Sequence, residues 1–223
     1  MYYMILLFTF VTTVPNGISS FNTLVVSSFG FNQFNTLLVA LPSSIVSAGS
    51  LFIWSMLARR YGGLRTLGMS LPLIPAIAGI ATVYATTYGD YSKWGRVFAY
   101  WLNNSYAVCF PFLEAFLGSN FAGHTKRAFV YGSVLVAFAV GNFTGPFIFP
   151  TGATNYSTSF AILLVFYCVQ ILIVGVLRLY MGWFNRKRDS LYGASEGVNA
   201  AKGALDGMMD KTDGENTAFR YVM

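Results

Sequence analysis

Long stretches without a single charged side chain constrain this sequence more than any other feature. Residues Met1–Ala58 contain no Lys, Arg, Asp or Glu, and neither do residues Ala128–Leu177. The shorter stretches Thr66–Gly89 and Val97–Leu113 are also free of charge. An ordinary soluble domain carries about 25% charged residues, whereas this chain has 10% charged and 55% hydrophobic residues. A membrane-spanning helix needs about 20 mostly apolar residues, so each long stretch can hold two such helices and each shorter one can hold one.

The sequence therefore predicts an all-α membrane protein with six transmembrane helices. The predicted spans of helices one to six are, in order, Met1–Ser28, Phe34–Leu57, Thr66–Tyr88, Gly95–Gly118, Ala128–Pro150 and Thr158–Phe184. We assign residues 1–184 to the transmembrane bundle and residues 185–223 to a flexible cytoplasmic tail, because Gly, Ala, Ser, Asp and Lys dominate after Arg186. A short helix is predicted within the tail at Ala200–Asp210.

The charges that border the helices alternate between the two sides of the membrane. One side carries Arg59, Arg60 and Arg65 after helix two, His124, Lys126 and Arg127 before helix five, and Arg186–Arg188 after helix six. The other side carries Asp90, Lys93 and Arg96. Cytoplasmic loops carry the excess of Lys and Arg, so we expect both termini in the cytoplasm. The net charge of +6 is thus explained by basic residues at the membrane surface, and it does not indicate binding to nucleic acid.

Other classes of protein find little support in the sequence. Cys109 and Cys168 both lie inside apolar runs, so a disulfide framework is not expected. His124 is the only histidine, which argues against a metal site built from histidines. We find no Ser/His/Asp set and no paired carboxylates within the spans, so we expect neither an enzyme nor a cofactor. The segment Met1–Phe10 lacks the basic region and cleavage site of a signal peptide, and we expect a further portion of the protein upstream.

Four short motifs point together to one family of membrane proteins. Helix five contains residues 141–146 (GNFTGP), and residues 119–127 before it are SNFAGHTKR. Residues 215–221 near the end of the chain are ENTAFRY, and helix one contains PNG at residues 15–17, followed by Phe21. This combination resembles the fungal anion:cation symporter family, the allantoate permease-like group of the major facilitator superfamily.

The resemblance covers nearly the whole chain, but only half of the family's twelve helices. It implies that the six helices are the C-terminal half of the fold, and that an N-terminal six-helix half is the partner. It also implies plasma-membrane transport of a small organic anion, such as a carboxylate metabolite or vitamin, together with protons. One departure is Asn216-Thr217, where the family has Asn-Pro. The alternative is a truncated, non-transporting fragment that needs the missing half, and the substrate stays open because fold does not name it.

Polar residues within the spans are the candidates for substrate binding or ion coupling, because such groups are costly in hydrocarbon. In helix four, Arg96 and Glu114 are 18 residues apart. That is five turns of an ideal α-helix, which places both on one face with Asn103 close to the line. This stripe either lines a pathway, or its two charged ends each extend to their own interface. Glu114 is the only acidic residue within a span, and it is a candidate for proton coupling or for an inner gate.

Helix one carries two further candidates next to a predicted break. Pro15 and Gly17 loosen the helix and free its polar groups. Asn16 and Asn22 can then bond a carboxylate or amide of the substrate, or alternatively hold neighbouring helices.

Helix five carries residues that are candidates for close helix packing. Gly141 and Gly145 form a Gly-x-x-x-Gly pair, which permits two helices to approach closely. Pro146 adds a kink near the outer end of the helix. Asn142 lies between the glycines and faces either the cavity or a partner helix, of which the second is the preferred prediction.

The loop of residues 59–65 (RRYGGLR) resembles the short basic loop that the superfamily repeats in each half. This resemblance implies that Arg59, Arg60 and Arg65 form a gating loop, with simple charge anchoring as the alternative. No Lys or Arg lies at the midplane of the six helices. We therefore expect the cation that meets an anionic substrate in the other half, unless helix dipoles serve instead.

Overall fold

The computed structural model describes residues 1–61, 63, 66–87, 89, 92–150, 156–193 and 210–222. Within these residues the chain is helical and contains no strand. Arg65 of the predicted gating loop and residues 200–209 of the predicted tail helix lie outside the described residues.

Each of the six predicted spans is helical. Helix one comprises Tyr2–Thr13, Val14–Asn16, Gly17–Ser20 and Asn22–Ser28, helix two Gln33–Ala40 and Pro42–Arg60, and helix three Leu67–Met69 and Leu73–Ala85. Helix four comprises Lys93–Asn103, Asn104–Val108 and Cys109–Asn120, helix five His124–Thr144 and Gly145–Ile148, and helix six Ser157–Tyr192. The all-α architecture predicted from the charge-free stretches is confirmed.

Five of these segments are long and apolar enough to cross a membrane: Tyr2–Ser20, Phe34–Arg60, Leu67–Ala85, His124–Ile148 and Ser157–Tyr192. Helix four is as long as the others but more polar, because it contains Asn103 and Asn104 in its middle and Glu114 further along. Of these polar groups, Asn103 is fully buried by neighbouring helices, which is how a membrane bundle tolerates such a side chain.

Helices one, three, four and six form the core of the bundle. Helix three packs between helices four and six, and helix one packs against helices five and six. The core side chains include Phe8, Ile80, Phe116 and Tyr167, all fully buried. Helix two, by contrast, exposes large apolar side chains over much of its length. An outward apolar surface of this kind is suited to lipid, since lipid tails are as apolar as these side chains.

Irregular turns interrupt three of the helices at the positions that carry Pro or adjacent Asn. Pro15 lies in a 3₁₀ turn at Val14–Asn16, and Pro146 lies in another at Gly145–Ile148. Proline has no backbone N–H to donate to the preceding turn. A third 3₁₀ segment, Asn104–Val108, lies in the middle of helix four.

Helix six is longer than predicted, and the described part of the tail is more ordered. The helix extends to Tyr192 rather than ending at Phe184. Residues 210–222 fold back onto the bundle, where the buried guanidinium of Arg188 donates to their backbone carbonyls. Composition alone predicts a flexible tail, and it does not show that a neighbouring arginine binds residues 210–222.

Candidate functional site

A cavity of about 540 Å³ lies between helices one, two and four. Its lining residues are Asn16, Ser19, Asn22, Ser43, Ser44, Ser47, Ala48, Leu51, Asn104, Tyr106, Ala107 and Val108. Most of these side chains carry a hydroxyl or an amide, and none of them is charged. The cavity has the size of a small-molecule site and offers hydrogen bonds without a fixed charge.

Two asparagines of helix one contribute amides to this cavity. Asn16 Nδ2 donates to Asn142 Oδ1 of helix five over 3.1 Å. Asn22 Oδ1 accepts a hydrogen bond of 3.0 Å from the hydroxyl of Tyr100 in helix four. Each asparagine thus uses one side of its amide to bind a neighbouring helix. Within the described residues, the side-chain atoms Asn16 Oδ1 and Asn22 Nδ2 take part in no hydrogen bond, so they are available to a ligand.

Asn142 joins helix five to this site without lining it. Its Oδ1 accepts from Asn16, and its Nδ2 donates to the backbone oxygen of Phe138 at 3.0 Å. Both sides of the amide are thus occupied by the protein. Asn142 holds Asn16 in place, which is the structural one of the two roles considered for it.

Serines of helix two and the irregular turn of helix four form the opposite wall. Ser47 Oγ donates to the backbone oxygen of Asn104 at 3.2 Å, and Ser50 Oγ lies 3.1 Å from Ser105 Oγ. On the helix one side, the hydroxyls of Ser19 and Tyr106 lie 3.4 Å apart. These contacts connect helices one, two and four across the cavity.

The predicted stripe on helix four does not stay on one face. A 3₁₀ turn advances by about 120° per residue against about 100° in an α-helix, so five residues rotate the following face by roughly 100°. The 3₁₀ segment Asn104–Val108 therefore separates the faces of Arg96 and Glu114. Asn103 is fully buried and accepts a 2.7 Å hydrogen bond from the Tyr167 hydroxyl of helix six. The residue that faces the cavity is its neighbour Asn104.

Arg96 lies at a separate cavity of about 240 Å³ near the start of helix four. Its Nη2 donates to the backbone oxygen of Gly89 at 2.8 Å, and its Nε is enclosed without a hydrogen-bond partner in the described residues. The structure does not bring Arg96 together with Asn16, Asn22 or Asn104.

Glu114 also lies away from the polar cavity, in the second half of helix four. It is partly buried, and its backbone oxygen accepts a 3.3 Å hydrogen bond from the Tyr131 hydroxyl of helix five. Its carboxylate has no hydrogen bond or ion pair within the described residues.

Two further cavities adjoin the first and extend it along the same side of the bundle. One of about 310 Å³ shares Asn16, Tyr106 and Ala107 with it. The other, of about 820 Å³, shares Leu51 with the cavity of about 540 Å³ and Pro111 with the cavity of about 310 Å³. Together they form a concave surface on helices one, two, four and five.

The largest of these cavities lies at the end of the bundle that carries most of the basic residues, which we call the basic end. Arg59 of the predicted gating loop lines it, while Arg60 is exposed. The sequence interpretation missed Arg178 of helix six, whose Nη1 donates to the backbone oxygen of Gly63 at 3.0 Å. Arg178 thereby joins helix six to Gly63, which follows helix two.

Glycines bring helices one and five into backbone contact beside the polar cavity. A Cβ atom at Gly17 would collide with the backbone of Gly145, and one at Gly141 would collide with Thr13 Oγ1. Pro146 follows in the 3₁₀ turn that ends helix five. This close crossing sets the position of Asn142 against Asn16.

Several lining residues were not predicted from the sequence, although a signal for them was present. Ser43, Ser44 and Ser47 stand at helical spacing within an otherwise apolar span, and Asn104 directly follows Asn103. Ser47 follows Ser43 by four positions and Ser44 by three, and residues three or four apart lie on one face of a helix, so this pattern identifies the wall on helix two. Within the described residues, no three His, Cys, Asp or Glu side chains are grouped where they could hold a metal ion.

A multi-pass helical bundle with an uncharged polar cavity on one open face has the architecture of one half of a membrane transporter. The comparisons with known proteins agree with this class. An uncharacterised transporter of Schizosaccharomyces pombe is 28% identical over 98% of this chain and 41% of its own length. The thiamine pathway transporter of Saccharomyces cerevisiae is 28% identical over 97% of this chain and 40% of its length. The allantoate permease of the same yeast is 28% identical over 97% of this chain and 41% of its length.

These relatives are fungal transporters of the major facilitator type, and this chain is homologous to them. The chain spans about two fifths of the length of the curated relatives that it matches, in their C-terminal half. The resemblance drawn from the sequence motifs is thereby confirmed. No family model and no solved structure matches the chain.

Proposed function

We propose that this chain forms one wall of the translocation path of a secondary transporter for a small organic anion, driven by protons. The observation that supports it most is the uncharged polar cavity of about 540 Å³ on the open face of the bundle. The relatives whose names state a role are transporters or permeases. In this proposal the second wall is an N-terminal six-helix half, the membrane is the plasma membrane and both termini are cytoplasmic.

The chemistry of the cavity assigns different parts of the substrate to the two walls. Asn16, Asn22 and Asn104 offer amides, and the serines of helix two offer hydroxyls, so this wall suits the uncharged polar groups of a ligand. A carboxylate in a dry cavity needs a cation or several donors to offset its desolvation. We therefore assign the carboxylate of the substrate to the opposite wall.

Uptake measurements on the intact transporter that contains this chain test the role of the cavity. We expect Asn16→Ala and Asn104→Ala each to raise the KM for uptake about 5- to 12-fold, since the loss of a hydrogen bond costs about 1–1.5 kcal/mol. Ser27→Ala is the matched control, because Ser27 is exposed and bonds only the backbone of its own helix. Unchanged uptake in both asparagine variants, with normal amounts of protein at the membrane, contradicts the proposal.

Proton coupling is tested separately at Glu114. A carboxylate that carries the coupling proton must be able to ionise, so Glu114→Gln should abolish the dependence of uptake on external pH while exchange of substrate across the membrane persists. Full uptake with unchanged pH dependence refutes this role. Expression of the chain without an N-terminal half is the companion measurement, and we expect no uptake above background.

A further inference from the structure

The C-terminal segment of residues 210–222, which we call the strap, lies across the basic end of the bundle. It contacts the last residue of helix four, Asn120, and the first turn of helix five at Lys126. It also contacts the last turns of helix six at Asn185 and Arg188. One short segment therefore connects the ends of three helices.

Arg188 is the anchor of the strap. Its Nη1 donates to the backbone oxygens of Asn216 and Phe219 at 3.0 and 2.9 Å. Its Nη2 donates to those of Asp213 and Gly214 at 2.6 and 3.3 Å. Arg188 is 7% exposed, and a buried charge persists only where it is well bonded. The curvature of the strap around Arg188 supplies those bonds.

Two asparagines bind the backbone at the end of the strap. Asn185 accepts from the Tyr221 N–H at 2.9 Å and donates to the Tyr221 oxygen at 2.8 Å. Asn120 accepts from the Val222 N–H at 2.7 Å and donates to the Val222 oxygen at 3.1 Å. Each side-chain amide thus bonds both the backbone N–H and the backbone C=O of one strap residue, as a neighbouring β-strand would. The pairs come from different helices, so both helices must keep their spacing for the strap to bind.

Asp213 ties the two ends of the strap together. Its carboxylate forms an ion pair with Lys126 and accepts a 2.8 Å hydrogen bond from the Tyr221 hydroxyl. The Tyr221 ring packs against Phe184 of helix six, with 5.3 Å between the ring centroids. Burial and then the neighbouring carboxylate raise the pKa of Tyr221, so its hydroxyl remains a donor at every physiological pH.

The tip of the strap reaches the concave surface. Val222 lines the cavity of about 820 Å³ together with Arg59 of helix two and Pro111 of helix four. Of the three adjoining cavities, this is the one at the basic end. The strap therefore begins at the bases of helices five and six and ends beside the mouth of the proposed path.

We propose that the strap is a conformational lock that holds the ends of helices four, five and six as one body and limits the width of this cavity mouth. Opening at the basic end then requires the Asn120 and Asn185 pairs to separate or the three helices to move together. That the strap holds the three helix ends together is inferred from its contacts alone. The consequence for the transport cycle rests on the function proposed above.

The test measures the lock without measuring transport. Hydrogen exchange of the Tyr221 and Val222 amides reports the strap, and modification of Ser55→Cys by a charged maleimide reports the cavity, which Ser55 lines. The labelling is done in a Cys168→Ser background, because Cys168 is exposed and Cys109 is buried. The full 223-residue chain is used in nanodiscs.

We expect Asn120→Ala and Asn185→Ala each to raise exchange of the two amides about tenfold, which corresponds to the loss of one or two hydrogen bonds. Labelling at position 55 should rise by a similar factor if it proceeds through the released strap. Ser190→Ala is the matched control on helix six, because Ser190 bonds only the backbone of its own helix. Tyr221→Phe, which removes only the hydroxyl that bonds Asp213, is the milder second variant if the alanine variants do not fold.

Two results overturn the proposal. Unchanged exchange in the folded variants shows that the amide pairs do not hold the strap. Faster exchange with unchanged labelling shows that the strap is released without opening the cavity mouth. Faster exchange and faster labelling support the lock, and they do so even where an uptake measurement fails, so the two proposals are distinguishable.

Discussion

The crossing of helices one and five gives the sharpest prediction, for the substitution Gly145→Ala. A Cβ atom at this position would lie 2.5 Å from the backbone oxygen of Val14, 2.9 Å from the Gly17 nitrogen and 3.0 Å from the Gly17 Cα. All three atoms belong to the backbone of helix one. A change of rotamer therefore relieves none of these contacts, and the helices have to separate by about 1 Å to reach ordinary contact distances.

The cost follows from the kind of atoms that collide. Overpacking in a tight interior typically costs 1–3 kcal/mol, and a collision with backbone belongs at about 3 kcal/mol. Replacement of glycine by alanine in a helix returns about 0.5–1 kcal/mol. The net destabilisation of Gly145→Ala is then about 2 kcal/mol. For a chain of 223 residues this corresponds to a decrease in Tm of about 4–8 °C.

Thermal unfolding of the purified chain, followed by circular dichroism in one detergent, measures this difference. Gly132→Ala is the matched control on the same helix, because nothing lies within 4 Å of a Cβ built at Gly132. We expect the Tm of the control to stay equal or to rise slightly. Equal Tm values for the two variants would refute the close crossing, and with it the placement of Asn142 beside Asn16.

Two further predictions concern the core and the strap. Tyr167→Phe removes the only hydrogen-bond donor to the fully buried Asn103 side chain within the described residues. It should therefore lower the free energy of unfolding by about 1–3 kcal/mol. The control Tyr84→Phe changes an exposed position and should leave the Tm of thermal unfolding within error. The backbone N–H of Thr212, and then its hydroxyl, lower the pKa of Glu215 from its ordinary 4.5. Ionised Glu215 therefore stabilises this turn above pH 4.5, and the stabilisation disappears as the pH falls through the lowered pKa. Exchange of the Thr212 amide should accordingly accelerate, relative to Glu215→Gln, as the pH falls below 4.5, whereas the Gln variant should show no such step.

The sequence predicts the membrane bundle well because the signal is additive along the chain. A charged group in hydrocarbon costs several kcal/mol. The charge-free stretches Met1–Ala58 and Ala128–Leu177 therefore predict membrane helices without any tertiary information. Breaks at Pro15 and Pro146 follow in the same way from the missing backbone N–H. The family motifs in helix five and at the chain end add the relationship to the fungal transporters.

Tertiary structure decided which polar residue faces the cavity. The ideal helical period placed Arg96, Asn103 and Glu114 on one face, but the 3₁₀ segment after Asn103 rotates helix four between them. No local rule predicts that turn in a span of mixed polar and apolar residues. It exists here where Asn104 and Ser105 bond helix two, and those contacts form only when the helices are assembled.

The strap shows the same division between local and tertiary information. Its composition is that of a flexible tail, because a short polar segment buries too little apolar surface to order itself. The amides of Asn120 and Asn185 and the guanidinium of Arg188 supply the missing bonds from two helices, four and six, that are far apart in the chain. The sequence by itself thus determined that the chain is an all-α membrane protein, since the penalty for charge in lipid acts on each segment separately. Only the tertiary structure decided which side chains form the cavity and the strap, since hydrogen bonds between distant segments depend on where the packed helices place them.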